Sequence, residues 1–160
     1  MGTGQIELVE IYLIYQLIFK YMSDISAAVK FFLDLAKTQA ILTRKFDSGL
    51  GGLGFTEFMI LYNLSQAKDG QMRRIDLAEK LGLTASCITR QLAPMEKIGL
   101  VERVNTDTDA RVSLTRLAPG GRRKLAESLE DAEAGSRDVV GEGQEKKLHW
   151  MCGLLHAIAT

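Results

Sequence analysis

RIDLAEKLGLTASCITRQLAPMEKIGLVERV, residues 74 to 104, is the stretch that decides the fold of this 160-residue chain. Its first part has the apolar spacing of a short helix, from about Ile75 to Lys80, which Gly82 ends. Thr84 is a favourable N-cap for a second helix. After Gly99 the apolar period changes from that of a helix to the period of two that is typical of a strand. The stretch therefore predicts two helices joined by a tight turn and followed by a strand.

The predicted second helix contains a proline, Pro94, about ten residues after its start, so we expect the preceding turn to bend or loosen. Its apolar residues share one face, which we expect to be buried. The opposite face carries small residues, mostly polar, with one arginine and one lysine: Ser86, Thr89, Arg90, Ala93 and Lys97. Such a face suits a helix in the DNA major groove, where arginine bonds guanine and hydroxyls reach bases or phosphates. The turns that would read bases precede Pro94, so the proline does not disturb them.

Two further segments complete a recognisable motif. Residues 100–104 and 111–117 are rich in β-branched and apolar residues, and turn-forming residues lie between them. They predict a β-hairpin. Helix, turn, helix and hairpin, in that order, is the layout of a winged helix-turn-helix. The predicted fold class is mostly α with a small β-hairpin wing.

Helical patterns surround this motif. One runs from Ser23 to about Lys45 and is ended by the glycine-rich residues 49–54. Another starts near Thr56, and a short extended piece at residues 71–73 follows it. Two more helices are predicted after Pro119 and from about Gly143 to Ala159. We expect aromatic residues of these helices, such as Phe32, Phe58, Tyr62 and Trp150, to lie in the core.

Charge is distributed unevenly. Twenty Lys and Arg residues balance twenty Asp and Glu residues, so the net charge by itself indicates no polyanionic partner. From Gln71 to Lys124, however, the chain has eleven basic and six acidic residues, an excess of five positive charges. The positive charge is therefore concentrated around the predicted helix-turn-helix, where it favours phosphate binding.

Composition and targeting signals indicate a cytoplasmic protein with no membrane partner. Two cysteines, Cys87 and Cys152, are too few for a disulfide framework and indicate a reducing compartment. The apolar segment Ile11–Phe19 follows acidic rather than basic residues and is shorter than the roughly 18 residues that span a bilayer. We interpret it as a buried or partner-facing helix. Alternatively, translation starts at Met22 and residues 1 to 21 are not native.

Residues 24 to 160 resemble the MarR (multiple antibiotic resistance regulator) family of bacterial transcription factors. The resemblance rests on the stretch 74–104, on Asp109-Ala110-Arg111 in the wing, and on LTRLAPGGRRKL, residues 114–125. The family's wing has a D-x-R pattern whose arginine approaches the minor groove, and the resemblance assigns that role to Arg111. Many members have a second arginine where this chain has Ala110, and an Asp-Pro pair where it has Thr106-Asp107.

The resemblance implies a homodimer whose terminal helices intertwine. Residues 23–48 and 118–160 would be the dimerisation helices, 55–117 the DNA-binding lobe, and 1–22 an N-terminal extension helix. The sequence agrees, because the apolar terminal helices carry more hydrophobic surface than the small lobe could cover. Two recognition helices would then enter adjacent major grooves of a pseudo-palindromic operator. The resemblance also implies a pocket for a small aromatic or phenolic effector between the dimerisation helices and the lobe.

The sequence thus predicts a regulator of transcription rather than an enzyme, and one that needs no cofactor or metal. We expect a homodimeric repressor that binds double-stranded DNA and is relieved by a small molecule. The candidate DNA-binding residues are Arg73, Arg74, Thr84, Ser86, Thr89, Arg90, Lys97, Arg103, Asp109, Arg111 and Arg123.

Several alternatives stay open. A winged helix can serve protein contacts instead of DNA, and Cys87, at the start of the second helix, could be an oxidation sensor. His149, Cys152 and His156 could share one helix face and bind a metal, although a dimerisation helix also has packing reasons to carry such residues. Residues 49–54 match G-x-G-x-x-G, but no strand precedes them. We interpret them as a helix C-cap and flexible linker.

Overall fold

A computed structural model describes residues 13–14, 25–105 and 113–159. The elements of residues 25–159 are, in chain order, α1 (Ala27–Gly49), α2 (Phe55–Ser65), β1 (Gln71–Arg73), α3 (Arg74–Lys80), α4 (Ala85–Lys97), β2 (Val101–Asn105), β3 (Ser113–Leu117), α5 (Pro119–Val140) and α6 (Glu145–Ala159). This order confirms the predicted winged helix-turn-helix with flanking helices. The chain divides into two compact units, Met1–Leu42 and Thr43–Thr160, and the boundary lies within α1.

The sheet has three antiparallel strands in the order β1-β3-β2, not the two predicted for the wing. Gln71 lies opposite Arg116 and Arg73 opposite Leu114, while Val101 of β2 lies opposite Leu117. The strand at residues 71–73 joins the sheet because β3 has backbone donors and acceptors on both edges, and pairing with β1 satisfies the second edge.

The core of the second unit lies between α2, α3, α4, the sheet and the first half of α5. Its fully buried side chains are mostly leucine and isoleucine: Leu50, Ile60, Leu61, Leu64, Leu77, Ile88, Leu92, Met95 and Val101. They come from four elements and one loop, so this single cluster fixes α4 against the rest of the unit.

The glycine-rich loop 50–54 is packed, and our prediction of a flexible linker was wrong. Leu50 and Leu53 are buried, and Gly51 and Gly52 have φ of 60° and 91°, which glycine tolerates best. The Lys124 ammonium donates to the Gly51 carbonyl at 2.6 Å, and Ser128 Oγ donates to the Leu50 carbonyl at 3.3 Å. Polar side chains of α5 therefore hold the loop in place.

The first turn of α2 is capped from two directions. Glu57 Oε2 accepts a hydrogen bond from the Gly54 amide at 2.9 Å, as in a capping box. Asp47 Oδ1, from the last turn of α1, accepts one from the Phe55 amide at 2.6 Å. The carboxylates satisfy free amides at the positive end of the helix and thereby stabilise the junction of α1 and α2.

The start of α5 lies directly against the turn that follows α4. The Ala118 amide donates to the Leu100 carbonyl at 3.1 Å. A Cβ atom at Gly120 would lie 2.6 Å from the Gly99 carbonyl oxygen, and one at Gly121 would overlap the carbonyl oxygen of Leu100. Backbone therefore packs on backbone, and the end of α4 and the start of α5 form one rigid junction.

In the first unit, α1 begins at Ala27, where Ser26 Oγ accepts a hydrogen bond from the Val29 amide at 3.3 Å. The predicted cap Ser23 lies outside the described residues, as does the segment Ile11–Phe19 apart from positions 13 and 14. Apolar side chains of this part of α1 are exposed by 45% to 59%: Val29, Phe32, Leu33 and Ile41. No helix in the described ranges is long and apolar enough to cross a membrane.

In the second unit, α6 has no buried residue. Trp150 is 68% exposed, and the apolar stripe of α6, Leu148, Met151, Leu155 and Ile158, is 37% to 49% exposed. Tyr62 of α2 is 43% exposed as well. Among Phe32, Phe58, Tyr62 and Trp150, which we expected in the core, only Phe58 packs against the core cluster. Phe32, Tyr62 and Trp150 are exposed by 53%, 43% and 68% instead.

Candidate nucleic-acid interface

The local sequence fixes where α4 begins and which face it presents. Gly82 adopts φ of 63° in the turn after α3, and Thr84 Oγ1 accepts a hydrogen bond from the Cys87 amide at 3.2 Å, which confirms Thr84 as the N-cap. Ile88, Leu92 and Met95 are buried, as their shared face predicted. The remaining face of α4 is therefore held outward by a well-packed core.

This outward face carries the predicted residues Ser86, Thr89, Arg90, Ala93 and Lys97, and all are exposed. Thr84 Oγ1 and Ser86 Oγ lie 3.0 Å apart, and Thr89 Oγ1 donates to the Ala85 carbonyl at 2.9 Å. Their hydroxyls are thus partly engaged within the helix. Arg90 forms no hydrogen bond or ion pair with any residue that the structure describes, so its guanidinium is available to a ligand.

Pro94 does not interrupt α4, which continues as helix from Ala85 to Lys97. Proline has no amide hydrogen, so the Arg90 carbonyl lacks its usual helical donor. The Ile98 amide donates to the Pro94 carbonyl at 3.1 Å, so the last turn is still hydrogen-bonded. The proline is exposed and lies opposite the core face, where its ring displaces no packed side chain.

The two arginines at the start of α3 both face carboxylates. Arg73 Nε and Nη2 donate to the two carboxylate oxygens of Asp76 at 2.8 and 2.7 Å. Arg74 Nη2 lies 3.6 Å from Glu96 Oε1, which joins α3 to α4, and Arg74 Nε and Glu96 Oε1 are buried without a hydrogen-bond partner. Arg73 and Arg74 were both counted as positive charges available to phosphates, and a carboxylate lies against each of them. Fewer cations at α3 are therefore available than the sequence predicted.

The hydrogen bonds from Arg73 lower the pKa of Asp76 below its ordinary value; desolvation opposes this, and the positive charge of Arg73 lowers the pKa further. Because the folded-state pKa is lowered, the contribution of the pair is present at neutral pH and is lost as pH falls through that pKa. At physiological pH the pair is ionised.

The wing contributes two exposed cations in the described residues, Arg103 and Arg116, of which Arg116 forms an ion pair. Arg103 lies on β2 opposite Thr115 and is exposed. Its neighbour Glu102 accepts a hydrogen bond from Arg116 Nε of β3 at 2.7 Å, a cross-strand ion pair. The predicted wing residues Asp109 and Arg111 lie outside the described residues.

The first turns of α5 contribute three further cations, which differ in their surroundings. Arg123 is exposed, as its predicted role in phosphate binding requires. Lys124 is engaged by the Gly51 carbonyl. Arg122 lines a pocket of about 320 Å³ between α2, β3 and α5, whose walls include Leu64, Leu117 and Leu125.

The described residues contain no group of three or more His, Cys, Asp or Glu side chains that could hold a metal ion, so they do not support the alternative of a metal at His149, Cys152 and His156. Cys87 is half-buried on α4 and Cys152 is exposed on α6, and both are free thiols. The G-x-G-x-x-G match follows a helix, not a strand. These observations leave the outward face of α4 as the best-formed site.

Sequence reasoning missed the carboxylates that engage the arginines. The spacing of Arg73 and Asp76, three residues apart at the start of a helix, was a usable signal for an ion pair. The contact between Arg74 and Glu96 joins two helices and had no such local signal.

Comparisons with known proteins agree with this geometry. A model of the MarR family matches residues 55–113. An uncharacterised HTH-type transcriptional regulator of Bacillus subtilis, YdgJ, is 26% identical over 80 residues, which are 49% of this chain and 49% of that protein. The match thus spans about half the length of that curated relative.

Solved structures share the fold at low identity. The MarR family transcriptional regulator Sco3205 of Streptomyces coelicolor, crystallised in complex with DNA, is 20% identical, with a TM-score of 0.70 over 83% of this chain and 88% of its own. The regulator PcaV of the same organism, crystallised with its natural ligand, is 16% identical, with a TM-score of 0.74 over 86% of this chain and 96% of its own.

Proposed function

We propose that this chain is a homodimeric repressor of the MarR family, not an enzyme, that binds a pseudo-palindromic DNA operator and is released by a small molecule; the MarR-family model that matches residues 55–113 supports this proposal. The observation that carries the proposal is the outward face of α4. It presents the Arg90 guanidinium, which no described residue engages, among small side chains, on a helix fixed by three buried residues. Such a face fits the major groove.

In this proposal Arg90 bonds the O6 and N7 atoms of a guanine, and Ser86 reaches a neighbouring base or phosphate. Lys97, Arg103 and Arg123 bind phosphates, which set orientation and affinity but not sequence. Thr84 contributes as the cap that positions the first turn of α4. The wing arginine Arg111 would enter the minor groove, as the family resemblance implies.

The first test is a fluorescence anisotropy titration of the protein against a duplex of its own upstream promoter region, beside a scrambled duplex, at two salt concentrations. We expect tighter binding to the promoter duplex, and weaker binding to both duplexes as salt rises, because counterions are released from phosphates. Equal binding to both duplexes would argue against an operator in that region. No salt-dependent binding to either duplex would favour a winged helix that contacts protein.

Replacing Arg90 with alanine is expected to cost on the order of 1–3 kcal/mol of binding free energy on the operator, because a bidentate contact to one guanine is lost. Arg123→Ala is the matched control, since it also removes one exposed arginine of the same lobe. It should weaken binding to operator and scrambled duplex alike and reduce the salt slope by about one. Unchanged operator affinity of Arg90→Ala would contradict the proposed docking of α4.

The proposed dimer rests on apolar surface that the described chain leaves uncovered. In the second unit the stripe of α6 is exposed along its full length, and in the first unit Val29, Phe32, Leu33 and Ile41 of α1 are exposed. Surfaces of this kind mark interfaces in soluble proteins. A second copy of this chain is the occupant that the family resemblance implies, and a C2 dimer would give two α4 helices for two half-sites.

Leu155→Asp places a carboxylate in the middle of the α6 stripe, and we expect it to convert the dimer into a monomer because an unpaired charge would be buried. His149→Asp introduces the same residue on the opposite, exposed face of α6 and should leave the dimer intact. Sedimentation equilibrium of the two variants measures this difference. If Leu155→Asp remained dimeric, α6 would not form the dimer interface.

The pocket between α2, β3 and α5 supports the proposal of relief by a ligand. Its walls are mainly apolar, and the Arg122 guanidinium is its only charged group among the described residues. This chemistry fits a small aromatic or phenolic anion. An occupant would contact α5 close to the rigid junction with the end of α4, so a shift of α5 would change the spacing of the two recognition helices.

Benzoate is a suitable first probe of this pocket. We expect millimolar benzoate to raise the melting temperature of the wild-type protein, because binding to the folded state stabilises it. Arg122→Ala should abolish the shift, and Arg123→Ala, one residue away and outside the pocket lining, should retain it. Equal shifts for both variants would mean that benzoate does not bind through Arg122.

A further inference from the structure

The ion pair of Arg73 and Asp76 differs from the other arginine ion pairs of the lobe. Arg74 with Glu96 joins α3 to α4, and Arg116 with Glu102 joins β3 to β2. Arg73, the last residue of β1 and the N-cap of α3, lies three residues before Asp76, so their contact spans only the β1–α3 junction and joins no elements that are distant in sequence. The chain already connects β1 to α3 at this point, so the fold gives no further structural reason for this pair.

The pair lies where phosphate contacts of a helix-turn-helix are expected. Arg73 is the N-cap residue of α3, the first helix of the motif, and this helix crosses the DNA backbone in such proteins. Its side chain is 56% exposed and that of Asp76 is 39% exposed. Both guanidinium bonds go to Asp76. A cation at the phosphate-facing end of the motif is thus neutralised within its own chain.

We propose that Asp76 restrains binding to non-operator DNA by engaging Arg73, so that a phosphate gains this cation only by displacing the carboxylate. The proposal rests on the DNA binding proposed above. An exposed pair is weak enough for such exchange, yet a free Asp76 carboxylate would then repel the phosphates. Phosphate contacts carry no sequence information, so this cost falls on binding to any duplex and is measured most directly on a duplex that lacks the operator.

The test compares the wild-type protein with Asp76→Asn, with the double variant Arg73→Gln/Asp76→Asn, and with Asp69→Asn as a control. Asp69 is an exposed residue of the same unit, and its substitution removes the same charge without touching an arginine contact. Affinity for a scrambled duplex is measured by anisotropy over a series of salt concentrations. Thermal unfolding of each variant establishes that the fold is retained.

We expect Asp76→Asn to bind the scrambled duplex about 2- to 25-fold more tightly than wild type, since the free energy of an exposed pair is released in each subunit of a dimer. Its salt slope should steepen by about one per subunit as Arg73 meets a phosphate. The double variant should return to within about twofold of wild type, and Asp69→Asn should change affinity by less than twofold.

Equal gains for Asp76→Asn and Asp69→Asn would overturn the proposal, because charge removal alone would then explain them. A double variant that binds as tightly as Asp76→Asn would also overturn it, since Arg73 would not be the group released. Failure of the wild-type protein to bind any duplex is a different result. It would contradict the proposed function itself.

Discussion

Gly121→Ala is expected to destabilise the protein by about 3 kcal/mol, the upper part of the range for overpacking a tight interior. The added Cβ would overlap the Leu100 carbonyl oxygen, which is backbone and cannot rotate away. The same carbonyl accepts the hydrogen bond of the Ala118 amide. Relief therefore requires α5 to move from the turn after α4, at the cost of this bond and of the core contacts of Leu125.

Urea unfolding monitored by circular dichroism measures this effect. Gly135→Ala is the matched control, because it makes the same substitution in the same helix, where the new Cβ would be 3.7 Å from Phe46 Cε1, an ordinary contact. It should stabilise the protein by about 0.5–1 kcal/mol, since alanine is the better helix former. A similar change in both variants would show that the α4–α5 junction is not tightly packed in solution.

The sequence predicted the helix-turn-helix well because its signals are local. Gly82, the cap at Thr84 and the apolar spacing through Met95 each act within a few residues, and the structure confirms all three. The same spacing correctly placed the outward face of α4. Pro94 is exposed and lies within α4, which is helical from Ala85 to Lys97, so the helix predicted through it is confirmed; the bend expected before it stays a prediction.

Features that depend on distant partners were not predictable in this way. The pairing of residues 71–73 with β3, and the cap that Asp47 supplies to α2, join segments whose contact no local pattern reports. The exposure of Phe32 and Trp150 has a related cause. An apolar periodic helix is equally consistent with a core in its own chain and with a surface covered by a second chain.

For the candidate site, the sequence predicted which residues lie on the outward face of α4. It did not predict which arginines are engaged by carboxylates. Sequence counted Arg73, Arg74 and Arg90 alike as positive charges. In the structure Asp76 and Glu96 lie against the first two, while Arg90 is unengaged by the described residues. The net positive charge of the lobe therefore overstates the number of arginines that are free to meet a phosphate.

Leu92→Ala is expected to destabilise the protein by about 2–5 kcal/mol, because it removes a side chain that is 1% exposed from the centre of the core face of α4. Leu92 lies between Ile88 and Met95 on that face, and all three belong to the cluster that fixes α4 to α2 and α3.

Thr89→Ala is the control for this variant, since it truncates the same helix on its exposed face. Its loss of one hydroxyl bond to the Ala85 carbonyl should change stability by no more than about 0.5 kcal/mol. Denaturant unfolding compares the two variants. If Leu92→Ala cost no more than Thr89→Ala, the core would not be what holds α4. The outward presentation of Arg90 would then need another cause, because no other described contact fixes the rotation of α4 about its axis as directly as this apolar face.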